Sequence, residues 1–314
     1  MISDEIFLKL RANAGSYVSG EKLAADTGKS RTAVWKAVKR LIEKGFKIDA
    51  VTNKGYKLEE DGDVLSANVI SSLCGGNEVR VFGCVSSTND EAKKLAATGA
   101  KEGTVVVANR QTEGRGRLKR KFHSPEGGLY MSVILRPEIS AEKTLFVTAA
   151  AAVAVREAIE KVCGVSTDIK WVNDLYLSGK KVCGILSEAS VNIESGTTDH
   201  IVVGIGINTV RPIGGFPSEI EDKAGYISLN PVFDMRNRLC AEIVNGILSR
   251  YKCGKTEELL KSYREHSATL GKEVEITCGN ESYKGVAKYI DDDFRLVVSL
   301  SGGGDKTFSY GDII

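Results

Sequence analysis

The sequence predicts an α+β multidomain chain: a small helical unit with a β-hairpin, a central mixed sheet covered by helices, and a small all-β end. Three observations carry that expectation. Apolar residues recur at helical spacing before Gly45, strand-like and helix-like runs alternate from Val64 to His266, and the segment after it alternates apolar and polar residues between Gly, Asn and Asp turns. With 314 residues and 42% hydrophobic side chains, the chain can bury several cores.

In the first unit, Ile2, Ile6, Phe7 and Leu10 share one helical face, with Ser3 or Asp4 placed to cap it. A second short helix follows Ser19, passes through Leu23 and stops at Gly28. The third takes Ser30 as N-cap, runs Val34, Val38, Leu41 and Ile42 along one stripe, and ends at Gly45. "FKIDAVTNKGYKLEE" then alternates around an Asn-Lys-Gly turn, which suits a wing. The pattern is that of a winged helix-turn-helix. Charge agrees: residues 1–60 hold 12 Lys/Arg against 8 Asp/Glu, whereas the remainder holds 31 against 33. Seven cations between Lys29 and Lys47 face one acid, Glu43. A plain three-helix bundle with a solvated basic face is the alternative; Trp35, off the apolar stripe and beside the cations, and the wing favour duplex DNA. The candidate contacts are Ser30, Arg31, Thr32, Trp35, Lys36 and Lys39, with Arg31, Thr32 and Trp35 at base edges and the lysines on phosphates. "EEDGD" marks a boundary near Asp63, giving units of 1–63, 64–266 and 267–314.

In the central unit "RVFGCV", "TVVVANR" and "LYMSVILRP" read as strands, the first two flanking a helix from Asn89 to Ala97. Residues 141–163 form an alanine-rich helix ended by Gly164. "DIKWV", a hairpin over 174–191 turning at Ser178-Gly179, and "HIVVGIGINTV" complete a mixed sheet. In the last unit, the short strands of 272–314 are expected to close into an SH3-like barrel.

Several function classes are excluded. Seven cysteines without a CxxC pair and three scattered histidines give no metal-ligand spacing, so no metal site is assigned. Their odd number suits reduced thiols in the cytoplasm, the first residues lack a signal peptide's basic start and apolar stretch, and no run approaches a membrane span. Gly28-Lys29-Ser30 and Gly254-Lys255-Thr256 lack the earlier glycine of a P-loop, and Gly204-Ile205-Gly206 lacks the third glycine of a dinucleotide fingerprint.

One loop stands out. "QTEGRGRLKRKFHS" (111–124) places Arg115, Arg117, Lys119, Arg120 and Lys121 within seven positions, led by Gly114 and Gly116. Glycines let a backbone approach a ligand, and guanidinium forks clamp carboxylate or phosphate. Five like charges with no apolar anchor are expected to stay disordered until an anion neutralises them. A solvated loop or a nucleic-acid patch reads the same residues equally well until their neighbours are included.

Those neighbours, "SSTND" (86–90), "QTEGRGRLKRKFHSPEGGLYMS" (111–132), "KWVND" (170–174), "GKKVCGIL" (179–186) and "GIGIN" (204–208), stand in the order and spacing of biotin protein ligases. With its two terminal units, nearly the whole chain resembles the bifunctional bacterial form that is also a biotin operon repressor. The resemblance implies a class II synthetase-like central sheet and a two-step reaction: biotin and ATP, with Mg2+, give biotinyl-adenylate, which a lysine of a biotin carboxyl carrier protein then attacks. It implies that Ser87, Thr88, Asn89, Gln111, Gly114, Gly116 and Gly184 line the biotin pocket. Arg115, Arg117 and Lys181 hold the reacting carboxylate and phosphate. Arg117, Arg120, Phe122, Lys170, Asn173 and Asn208 serve ATP and the adenylate. Three residues depart from the family pattern: Val172 replaces proline, Lys119 a glycine and Phe122 a tryptophan. The resemblance further implies an adenylate-promoted homodimer on palindromic operator DNA. The rival readings are a biotin sensor without catalysis, a lipoyl or other acyl ligase, and a ligase whose first unit no longer reads DNA.

Overall fold

The computed structural model describes residues 2–59, 62–137, 144–191, 198–230, 232–253 and 256–313. The first unit has helices α1 (Ile2–Arg11), α2 (Gly20–Thr27) and α3 (Arg31–Glu43), followed by the antiparallel hairpin β1 (Ile48–Val51) and β2 (Gly55–Leu58). Ser19 Oγ caps α2 by accepting from Lys22 N at 3.1 Å, and Ser30 Oγ caps α3 by accepting from Ala33 N at 3.2 Å. Gly28 ends α2 with a φ of 64°, in the left-handed region. Ile6, Leu10, Leu23, Val34, Ala37, Val38, Leu41 and Leu58 bury together. Ile42 is 45% exposed, because the buried stripe is Val34, Ala37, Val38 and Leu41, and Ile42, about 100° round the helix from Leu41, falls outside it. Ser3 and Asp4 lie inside the first turn of α1 rather than capping it.

The wing is anchored by a close approach: at Gly55, φ 107°, a Cβ would stand 2.2 Å from the Val18 carbonyl oxygen. Val18 and Tyr56 exchange backbone hydrogen bonds at 2.9 Å there. Arg11 joins this unit to the next, with Nε 2.6 Å from Asp234 Oδ2. Burial pushes the Asp234 carboxyl up from its ordinary value, against the pull of Asn237 and Arg11. Val69 of α4 (Ala67–Leu73) and Phe233 pack against the same apolar cluster.

The central sheet has seven strands in the order β3-β4-β5-β9-β8-β7-β6. They are β3 (Val79–Val85), β4 (Val105–Gln111), β5 (Leu129–Leu135), β6 (Asp168–Lys170), β7 (Asp174–Leu177), β8 (Lys180–Val191) and β9 (Thr198–Ile207). Only β3 and β4 are parallel, joined across α5 (Thr88–Ala97), so the sheet is mixed. Alternation divides its faces. Met131, Val133, Val203 and Ile205 join the core with α6 (Thr144–Cys163) and α7 (Met235–Cys253). Those helices press together where a Cβ on Gly246 would meet Ala154 Cβ at 2.9 Å. The opposite face carries α5 over Val106, Ile134 and Val202. The start of the long helix expected at 141–143 lies outside the described residues.

After α8 (Thr256–Glu265) come β10 (Glu273–Cys278), β11 (Glu281–Ile290), β12 (Leu296–Leu300), β13 (Asp305–Phe308) and β14 (Asp312–Ile313). They form one antiparallel sheet in the order β13-β12-β11-β10-β14. Its edges, β13 and β14, do not pair among the described residues, so the observed object is an open five-stranded sheet rather than the expected closed barrel. Trp171 fastens it to the centre, donating from its backbone N to Thr269 Oγ1 and from Nε1 to the Phe294 carbonyl, both at 3.0 Å.

Candidate active site on a glycine floor

On the face beside α5, sheet register aligns Asp174, Gly184, Gly206 and Tyr130 across β7, β8, β9 and β5. The next row carries Leu186, Gly204 and Ser132. Three glycines thus leave a floor without side chains, and other groups occupy that space. A Cβ on Gly206 would fall 2.5 Å from Phe122 Cε1, one on Gly184 3.1 Å from Phe122 Cε2 and 3.3 Å from Lys181 Nζ, and one on Gly204 2.1 Å from Asn89 Oδ1. Sequence spacing alone does not reveal this floor, because it is built by strand pairing.

The 111–124 loop folds back on itself above the floor. Gln111 N donates to Ser124 O at 3.0 Å, Phe122 N to Gly114 O at 2.8 Å, and Gly116 N to Arg120 O at 2.7 Å. Gly114 is required by this crossing, since a Cβ there would lie 2.5 Å from the Phe122 carbonyl oxygen. Arg117–Lys119 makes a tight turn with Leu118 in the left-handed region, φ 53°.

The expectation of a disordered loop is corrected by counter-charges already on the chain. Arg115 pairs with Asp90 of α5, Arg120 Nη2 lies 2.5 Å from Asp312 Oδ2 of β14, and Arg117 Nη1 donates to Gly311 O at 3.2 Å and to Asn173 Oδ1 at 3.5 Å. The Arg115 guanidinium holds the Asp90 carboxyl below its ordinary value. Charge repulsion inside the loop is therefore offset by groups remote in sequence.

Lys181, on β8 beyond the Ser178-Gly179 turn, brings Nζ to 2.6 Å from Asp174 Oδ1, an ion pair outside hydrogen-bond geometry. Lys170 stands over the Tyr176 ring at 5.4 Å, and desolvation pulls its pKa down. Asn173 Nδ2 donates to Ile185 O at 2.7 Å. Asn208 is placed differently from its neighbours: it is buried, with Nδ2 bonded to Gly225 O at 2.9 Å, so its amide holds the 225 turn. Among the described residues no group of three His, Cys, Asp or Glu side chains is arranged to hold a metal ion.

At the other end of the floor Ser87, Thr88 and Asn89 are buried where α5 begins. Gln111 Oε1 accepts from Thr88 N at 2.8 Å and from Thr88 Oγ1 at 3.1 Å, while Nε2 donates to Ser124 Oγ at 3.0 Å. Ser124, Ser132, Glu188, Gly311 and Asp312 join the site without being among its sequence-predicted residues. Ser124 and Ser132 lay within a quoted motif; the others are brought in by the fold alone. A separate cleft, lined by Thr256, Leu260, Arg264 and Asp292, lies outside this site.

On the first unit, Trp35 is 53% exposed with Lys39 Nζ 5.7 Å above its ring, and Arg31, Thr32, Lys36 and Lys39 are exposed along α3. Arg31 pairs with Glu21 at 3.6 Å, both side chains open to solvent. The candidate DNA-contacting residues therefore share one surface.

A helix-turn-helix unit joined to a mixed sheet with a cationic loop over a glycine floor defines a class, and two family models fall on these parts. Residues 81–208 match the Biotin/lipoate A/B protein ligase family, and residues 4–57 match an HTH domain. The chain is 36% identical over 315 residues to the "Bifunctional ligase/repressor BirA" of Bacillus spizizenii, covering 96% of this chain and 95% of that one. Against the protein of the same name from Escherichia coli it is 30% identical, covering 94% and 92%. A solved biotin protein ligase from Aquifex aeolicus, in complex with biotin and ATP, superposes with a TM-score of 0.63 at 29% identity, over 75% of this chain and 97% of that one. The chain belongs to the bifunctional ligase/repressor family of biotin protein ligases.

Proposed function

We propose that the glycine floor binds biotin and ATP, and that the loop and Lys181 drive formation of biotinyl-adenylate. A biotin carboxylate oxygen attacks the α-phosphorus and pyrophosphate leaves; the ε-amine of a carrier-protein lysine then attacks the acyl carbon, AMP leaves, and the amide nitrogen loses a proton. Two anions must meet in the first step, so fixed cations lower its barrier. The observation that carries this reading is the meeting of Arg117, Asn173 and Lys181 with the loop over Gly184 and Gly206. Arg115 and Arg117 exchange their internal partners for carboxylate and phosphate, and Arg120, Lys170 and Asn173 serve the phosphates. Phe122 stacks on adenine after leaving Gly206. Asn208 acts through the Gly225 turn. Magnesium arrives on the nucleotide phosphates.

The units 1–63, 64–266 and 267–314 divide the work. The first reads operator DNA as an adenylate-promoted homodimer, the second is class II synthetase-like, and the third is SH3-like, a reading supported by the return of its last strand to its first. No helix among the described residues is long and apolar enough to cross a membrane. The cytoplasm supplies biotin, ATP, carrier protein and DNA together.

The test is incorporation of labelled biotin into a carrier domain with ATP and magnesium. Lys181→Ala and Arg115→Ala are each expected to lose about a hundredfold or more in rate. A wild-type protein that binds biotin and DNA but releases no pyrophosphate would reduce the site to a sensor.

A further inference from the structure

Glu188 of β8, absent from the sequence-predicted site and half-buried, ends a chain of hydrogen bonds that runs into the glycine floor. Its Oε2 accepts from Asn89 Nδ2 at 2.7 Å, and its Oε1 pairs with Lys93, one turn further along α5. Asn89 Nδ2 also reaches Leu186 O at 3.3 Å. The amide sits against Gly204, where a Cβ would fall 2.1 Å from its Oδ1 and no side chain could coexist with it. At its far end Asn89 Oδ1 is 2.7 Å from Ser132 Oγ, and Ser132 Oγ is 2.8 Å from Thr88 Oγ1. Ser132 is fully buried, and Thr88 and Asn89 are each 4% exposed.

The direction of this chain is a chemical question with one answer. A carboxylate only accepts, so the NH2 of Asn89 must face Glu188 and its carbonyl must face Ser132. Ser132 has one proton and two acceptors in reach; the fixed carbonyl of Asn89 takes it. The Thr88 hydroxyl then donates inward, to Gln111 or Ser132, and keeps both lone pairs open to outside donors. Leu186 O also accepts from this NH2, but at 3.3 Å; without the 2.7 Å bond to Glu188 the amide is held only by that longer one, and where it turns over Ser132 donates to Thr88 and takes one of its two lone pairs. A cyclic urea presents such an N–H donor.

Resting on the biotin reading above, we propose that Glu188 is a positioning residue for biotin: together with Leu186 O it sets the orientation of Asn89 and, through Ser132, holds Thr88 Oγ1 in place with both lone pairs open to a ureido N–H. It touches neither the carboxylate being activated nor the nucleotide.

Steady-state ligation with the full-length protein, varying biotin and ATP separately, tests this. Glu188→Ala is expected to raise the KM for biotin about tenfold, the loss of one directed hydrogen bond, while kcat and the KM for ATP stay within about twofold. Glu188→Gln retains an acceptor for Asn89 and is expected to return the biotin KM to within about threefold of wild type. Ser132→Ala should raise the biotin KM alone, and combined with Glu188→Ala should add little, because the two act in one chain. An unchanged biotin KM in Glu188→Ala, or a loss confined to kcat and melting temperature, would overturn the proposal. Ser132→Ala decides it in the same way should Glu188→Ala not fold. Failure of the wild type to exchange pyrophosphate with biotin would instead overturn the ligase reading.

Discussion

Arg120 of the cationic loop and Asp312 of the carboxyl-terminal strand lie 2.5 Å apart, so the loop is tied to a part of the chain almost two hundred residues away. Arg120 is 65% exposed in this pair, and exposed pairs contribute about 0–1 kcal/mol. Asp312→Asn should therefore leave thermal stability within about 1 kcal/mol of wild type. Local order should change more: hydrogen exchange at the Gly116 and Phe122 amides, whose bonds close the loop, is expected to speed up several-fold. Unchanged exchange would mean that Asp312 does not hold the loop.

The floor can be tested by filling it. Gly206→Ala places a methyl where Phe122 Cε1 is 2.5 Å away, and overpacking of this kind costs about 1–3 kcal/mol. The ring must move, so the KM for ATP should rise as well. Phe122→Ala in the same chain should recover much of the melting temperature without recovering ATP affinity. A double variant no more stable than Gly206→Ala would place the strain elsewhere.

The Arg115–Asp90 tie gives a pH dependence with a defined sign. Arg115 lowers the folded-state pKa of Asp90 below its unfolded value. The pair's stabilisation is thus complete above the ordinary carboxylate pKa and is lost as pH falls through the depressed one. Melting curves of wild type and Asp90→Asn should differ at neutral pH and converge in acid, as pH falls through the depressed Asp90 value. Curves that remain parallel into acid would remove this pair from the stability of the loop.

On the first unit, Trp35→Ala should weaken binding to operator duplex while leaving biotin ligation intact, since the indole lies on the exposed side of α3. Lys39→Ala should weaken specific and random duplex alike and lower the salt slope by about one. Both follow from duplex titrations at several salt concentrations. A Trp35→Ala protein with unaltered operator affinity would remove this face of α3 from recognition.

Local pattern made much of this molecule legible. Ser19 and Ser30 cap helices as their positions suggest, Gly28 takes the left-handed turn, and the wing closes at Asn53 to Gly55. The motif residues Thr88, Gln111, Arg117, Asn173 and Lys181 converge around the 111–124 loop and the glycine floor. What was not legible depends on pairing between distant segments. Glu188 meets Asn89 only because β8 runs beneath α5, and Asp312 meets Arg120 only because β14 lies beside the loop. Helix α7 was hidden similarly: Gly246 weakens its helical signal, yet that glycine admits Ala154 of α6. Disorder was read into the loop because its acidic partners are not its neighbours in sequence.

Arg236 bears on the loop from outside it. Its guanidinium reaches Asp63, Asn109 Oδ1 at 3.0 Å and Gly128 O at 3.4 Å, and so fastens the strand ends on either side of the 111–124 segment. With both stems clamped and the crossing bonds made, the entropy of closing this loop is lost when the protein folds rather than when an anion arrives. An incoming phosphate or carboxylate has only to replace Asp90, Asp312 and the Gly311 carbonyl, one partner at a time.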